Sequence, residues 1–232
     1  MTREPTGPAQ EEKLSPEMAM EKPELYVEKL LSTLESKSQL IHSLWQYLVE
    51  NDLVDKEIQL DGTTDVSRST DHGIVMGTAP LSAERKKLMF EEENFADYLT
   101  EKAYILSHEI SHKIAALIGS SETIEKFNNL YTSAIYFRKR GRGLSLHANQ
   151  ASYLEKGPEE QAKEDIVELV NMYLWDKEYL QRFLAFLSNP ALKEARKKFK
   201  LCNLSEGSAS NLFTVISESI EEFLKEKKIY GD

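Results

Sequence analysis

Between Tyr98 and Ile118, apolar residues recur at Leu99, Ala103, Leu106, Ile110, Ile114 and Leu117, the three-and-four spacing of one face of an α-helix. Ile105, Ala115 and Ile118 place further apolar surface beside that stripe. A helix covered on both sides has to be buried between other elements, so the chain must supply layers around it. Its 232 residues suffice for one such core. Asn94 is expected to cap this helix, which ends at about Ile118. Gly119-Ser120-Ser121 then closes it and opens a third helix, Glu122 to Arg138.

The remaining segments are read by the same periodicities. Residues 1–22 are rich in Pro, Glu and Gln and are expected to be a disordered tail. Leu30, Leu34, Ile41, Leu44, Trp45 and Leu48 predict one long helix over 23–53, a helical segment ahead of the main domain, 54–232. From Val54 to Pro80 turn residues surround two β-like stretches, Glu57 to Leu60 and Gly73 to Thr78, which predict a small sheet. Gly141 to Pro158 reads as a surface loop. Pro158 opens a fourth helix to about Ser188, and two more follow, Ala191 to Lys200 and Ser210 to Lys228. The fold class is α+β, mostly α.

Charge narrows the partners. With 29 Lys and Arg against 39 Asp and Glu, the net charge of −10 argues against nucleic acid or an anionic membrane as partner. Arg138-Lys139-Arg140-Gly141-Arg142 is read as a solvated basic helix end complementing the helix dipole. The single cysteine, Cys202, has no intramolecular partner. No stretch approaches the ~20 apolar residues of a membrane helix, and the first residues lack the apolar core of a signal peptide, so a cytoplasmic protein is expected, with a delivered or secreted effector as the other possibility.

Chemistry concentrates in His108-Glu109-Ile110-Ser111-His112. Residues i and i+4 stack on one face of a helix, so two imidazoles can aim at one ion while Glu109 projects toward a water beside it. A catalytic zinc site requires a third protein ligand. The helix beginning Pro158-Glu159-Glu160-Gln161-Ala162-Lys163-Glu164 offers Glu160 as ligand, with Glu164 one turn on accepting a hydrogen bond from a ligand histidine. Glu159 is the rival ligand, and His147 in the preceding loop is an alternative. Glu159, Glu160, Glu164 and Asp165 also suit a helix N-terminus through the macrodipole alone.

These motifs resemble those of the gluzincin metallopeptidases, which pair a His-Glu-x-x-His helix with a glutamate on a later helix. Among them the chain is most similar to the small gluzincins that include the catalytic domain of anthrax lethal factor. The similarity runs from about Tyr98 to Leu174 and includes Tyr153, seven residues before Glu160, and Glu164, four after it. The resemblance implies a zincin-like fold over 54–232, a Zn2+ cofactor held by His108, His112 and Glu160, and Glu109 as general base. It implies Tyr153 stabilizing the oxyanion, Glu164 orienting a ligand, and a peptide or protein as substrate within a narrow range. Gly73 to Thr78 is the strand expected to align an extended substrate. Lys113 departs from the family, which usually has an uncharged residue after the second histidine. The competing expectation is a helical protein-interaction module with a structural or vestigial metal site and no catalysis.

Overall fold

Proline sets where the first helices begin. The computed structural model describes residues 15–95, 97–119, 124–149 and 155–229, and in it Pro16 and Pro23 occupy the first turns of α1 (Pro16–Glu21) and α2 (Pro23–Lys37). α1 lies within the stretch whose composition reads as tail, and it buries Met18 and Ala19. The single long helix expected over 23–53 is two. At Ser38 the backbone turns extended, and the hydroxyl caps α3 (Gln39–Glu50) through the Ile41 amide while donating to Leu174 O at 2.6 Å.

The sheet has three strands, β1 (Gln59–Asp61), β2 (Arg68–Ser69) and β3 (Ile74–Gly77), in the order β1-β3-β2. β3 is buried along its whole length and pairs parallel with β1 and antiparallel with β2. This corrects the expectation for Gly73 to Thr78. As the middle strand it has both edges taken and offers none to an incoming peptide, whereas β2 is an edge. Gly77 is required there, since a Cβ would stand 2.6 Å from Val66 O and 2.7 Å from Thr64 O.

A short helix α4 (Ala83–Lys86) and a 3-10 turn (Glu92–Phe95) lead into α5 (Tyr98–Gly119), which Asp97 opens by accepting from the Thr100 amide at 2.8 Å. α5 is central: Ala103, Leu106, Ile110, Ile114 and Ile118 are fully buried. α6 (Ile124–Lys139) and α7 (Pro158–Trp175) follow, α7 lying against both α5 and α6. The expected fourth helix also divides. Asp176 leaves helical geometry and caps α8 (Lys177–Ser188) by accepting from the Glu178 amide at 2.9 Å. α9 (Lys193–Lys198) and α10 (Glu206–Lys227) complete the chain. One apolar cluster joins residues of α1, α2 and α3 to those of α5, α7, α8 and α10, so the N-terminal helices share the core of the rest.

Arg138 corrects the reading of the basic run as solvated. Its guanidinium is buried and bonds Asp165 of α7 twice, at 2.5 and 2.7 Å, while Ser145 N reaches the same carboxylate at 2.7 Å. Asn149 joins it through Arg138 Nη1 at 2.6 Å. The loop between α6 and α7 is therefore pinned over 143–149, where a 3-10 turn, His147–Asn149, carries His147 inward. Among the described residues, no helix is long and apolar enough to cross a membrane.

Candidate metal centre

Helical periodicity aims His108 and His112 of α5 at α7, and α7 answers with Glu164. Glu164 Oε2 lies 3.5 Å from His108 Nε2 and 3.5 Å from His112 Nε2, and the three ligand atoms all fall within 4.8 Å of one another. A tetrahedral ion with bonds of ~2.0–2.1 Å separates its ligand atoms by about 3.3 Å, so the group is spaced to hold one with little movement. His108 Nε2 and Glu164 Oε2 are buried and make no hydrogen bond among the described residues. Buried polar atoms are nearly always satisfied, and a cation between these two, which face each other at 3.5 Å, would satisfy both. Two imidazoles and a carboxylate form a donor set that suits zinc.

The other nitrogen of His108 is fixed. His108 Nδ1 lies 2.7 Å from Glu168 Oε2, and Glu168 Oε1 accepts from Tyr104 Oη at 2.7 Å. Tyr104 is itself wedged between Phe95 and Trp175, with ring centroids 4.5 and 5.2 Å away. A carboxylate behind a histidine is what would orient it as a metal ligand, and this carboxylate is anchored in the aromatic core through Tyr104.

The predicted residues fall as follows. His108 and His112 both turn toward Glu164, and Glu109 lies beside His108 in the cavity. Glu160 does not join them: it stands half-exposed in the first turn of α7 and pairs with Lys163 at 2.6 Å. α7 meets α5 one turn further along, so Glu164 takes the position expected of Glu160, and Glu168 takes that expected of Glu164. Glu159 faces Lys139 at 3.7 Å on the surface. Tyr153 lies outside the described residues, and its seven-residue spacing belongs to Glu160 rather than to Glu164. Glu168 escaped the sequence reading, though its signal was there in Glu160, Glu164 and Glu168 repeating every fourth residue. His147 lies against His108, ring centroids 4.2 Å apart, and makes a second group with His108 and Glu168.

The charges are strongly coupled. Burial disfavors the cationic form of His108, but the carboxylates of Glu164 and Glu168 outweigh it and raise its pKa to about 10. Burial acts upward on Glu164, yet His108 and His112 hold it down at about 2. His112 and His147 are pushed down to about 4 and about 3, first by burial and then by the charge on His108. Burial raises Glu109 to about 7; His108 opposes the rise and Glu164 adds to it. Glu109 is only 6% exposed, and with His108, His147 and Tyr104 it lines a cavity of about 70 Å³ whose other wall includes Leu81, Leu88 and Met89.

Lys113, the departure from the gluzincin pattern, reaches the sheet. Its ammonium donates to the carbonyls of Thr70 and Asp71 in the β2–β3 turn. Comparison of the chain with protein-family models, curated proteins and solved structures returns no match in any of the three.

Proposed function

We propose that this protein is a zinc-dependent endopeptidase that hydrolyzes peptide bonds in a narrow set of protein substrates. The observation that carries the reading is the convergence of two unbonded buried atoms, His108 Nε2 and Glu164 Oε2, with His112 Nε2, beside the carboxylate of Glu109. His108, His112 and Glu164 would hold the metal. Zinc, when bound, supplies a Lewis acid for the scissile carbonyl and acidifies a water.

The chain's own residues do the rest. Glu109, next to His108 on the same helix, takes a proton from the attacking water and returns it to the leaving amine. Glu168 keeps His108 in the tautomer that presents Nε2, and Tyr104 keeps Glu168 in place. The oxyanion role expected of Tyr153 has a competitor in His147, which lines the cavity beside Glu109. Tyr153→Phe and His147→Ala assayed side by side divide that role.

The test is zinc per chain by elemental analysis, on protein purified without chelator or a metal-affinity tag, followed by digestion of a peptide library. One zinc per chain and cleavage that disappears in Glu109→Gln are expected. Protein that takes up no zinc even when it is supplied, and cuts nothing, makes the histidines structural and leaves an interaction module as the better reading.

A further inference from the structure

Lys102, Leu106, Glu109 and Lys113 are spaced four, three and four residues apart and line one face of α5. That face looks toward the sheet, and both lysines use it in the same way. Lys102, fully buried, donates Nζ to Gly77 O at 2.8 Å, at the C-terminal end of β3, and to Ala79 O at 2.6 Å just beyond it. Tyr98 adds a bond to Thr78 O at 2.5 Å. Lys113, eleven residues and about 16 Å further along the helix axis, donates to Thr70 O and Asp71 O at the turn before β3. The two ammonium groups thus hold the sheet at both ends of its middle strand, with Glu109 between them.

The hydrogen-bond pattern of the hairpin shows why the hold at Lys113 matters. Thr70 N donates to Gly73 O at 2.8 Å, and Arg68 opposes Val75 two residues on, so these are the bonded pairs of the antiparallel ladder. Ser69, between them, turns its N–H and C=O away from β3 toward the open edge. α5 lies against β2 here, and Glu109 lines the same cavity as Ser67, next to the strand. Thr70 O is free to receive Lys113 because the Gly73 amide bonds the Thr70 hydroxyl instead, at 3.0 Å.

We infer that Lys102 and Lys113 are positioning residues that clamp the sheet to α5 and fix edge strand β2 beside Glu109. The lysine that breaks the gluzincin pattern is on this account a device of this chain and leaves the metal ligands untouched. The clamp itself is independent of the catalytic assignment, whereas its effect on hydrolysis rests on the peptidase reading above.

Lys102→Met, at a fully buried position, can prevent folding, so Lys113→Met in the full-length chain is the working variant, with Lys113→Arg as the conservative control. Three readouts are compared with wild type: amide hydrogen exchange over residues 68–77, zinc per chain, and kcat and KM for a cleaved peptide. The expected result for Lys113→Met is exchange at least tenfold faster at residues 68–75 with α5 unchanged, unaltered zinc content, and KM raised several-fold with a smaller change in kcat. Lys113→Arg restores all three toward wild type. Unchanged exchange at 68–75, or exchange accelerated equally throughout α5, overturns the clamp. If neither wild type nor variant holds zinc or cuts peptide, the peptidase reading falls, while the exchange data still decide for or against the clamp.

Discussion

Glu164 Oε2 is equidistant from the two histidines of α5, 3.5 Å from each Nε2, although Glu160 stands one turn closer to the start of the same helix. The difference is testable without any assay of function. Glu164→Ala is expected to lose zinc, since only two protein ligands remain, and Glu160→Ala to keep it, since its partner is the solvated Lys163. Elemental analysis of both variants decides. Zinc retained in Glu164→Ala but lost in Glu160→Ala would return the third ligand to the first turn of α7.

Glu168 supports His108 from behind, and its loss should weaken the site without removing a ligand. Carboxylates in this position typically contribute 10–100-fold in metal affinity. Glu168→Gln is therefore expected to weaken zinc binding by about that factor in a competition titration against a chelator. Tyr104→Phe, which frees one Glu168 oxygen, should show a smaller effect. An affinity equal to wild type in Glu168→Gln would mean that the 2.7 Å contact is merely a way of burying a carboxylate.

Among the described residues Glu109 makes no ion pair; burial and the neighboring charges of the cluster act on its carboxyl, with the Ser69 amide opposing the rise. Glu109→Gln preserves volume and should leave zinc content and melting temperature near wild type. Peptide hydrolysis should fall by about 10²–10⁴-fold, the usual contribution of a general base. Rates within a factor of a few of wild type would remove Glu109 from the chemistry.

The legible part of this molecule was local. α5 and its His-Glu-x-x-His could be read because both the apolar period and the i, i+4 stacking are properties of a single helix. Ser38 and Asp176 were passed over because the apolar period resumes in phase after each. Both are good N-cap residues, and the break was available in their chemistry though not in the periodicity. Strand β3 was recognizable, but its central place was not, since its partner β2 is only Arg68 and Ser69. Which glutamate meets the histidines is a tertiary matter: Glu160, Glu164 and Glu168 share a face, and the turn that faces His108 depends on where α7 lies along α5. Arg138 looked solvated because its partner, Asp165, is 27 residues away.

That buried pair carries a prediction of its own. Arg138 closes over Gly143 so tightly that a Cβ there would lie 2.1 Å from Arg138 Cζ, and the guanidinium cannot swing aside without leaving Asp165. Breaking a buried pair on one side costs about 3–5 kcal/mol because the other charge stays buried. Arg138→Met should cost about that much, and Gly143→Ala a comparable amount. At about 2–4 °C per kcal/mol for a chain of this size, the melting temperature should fall by roughly 6–20 °C. A Gly143→Ala protein that melts like wild type would show that Arg138 has another stable position.

Cys202 sits on the same loop contact, fully buried, with its amide donating to Gly143 O at 2.9 Å. Burial pushes its thiol up to about 12 from an ordinary value of 9.0. Above about pH 9 the unfolded chain gives up this proton while the folded chain keeps it, so the folded state binds more protons and stability falls as pH rises. From pH 8 to pH 10 the loss from this group is about 1.4 kcal/mol, one pKa unit's worth of free energy. Urea midpoints of wild type and Cys202→Ala at both pH values isolate it: the wild-type advantage should shrink by about that amount at pH 10. An advantage that is the same at both would mean that the thiol ionizes as readily in the folded protein as in the unfolded one, and that its burial is incomplete in solution.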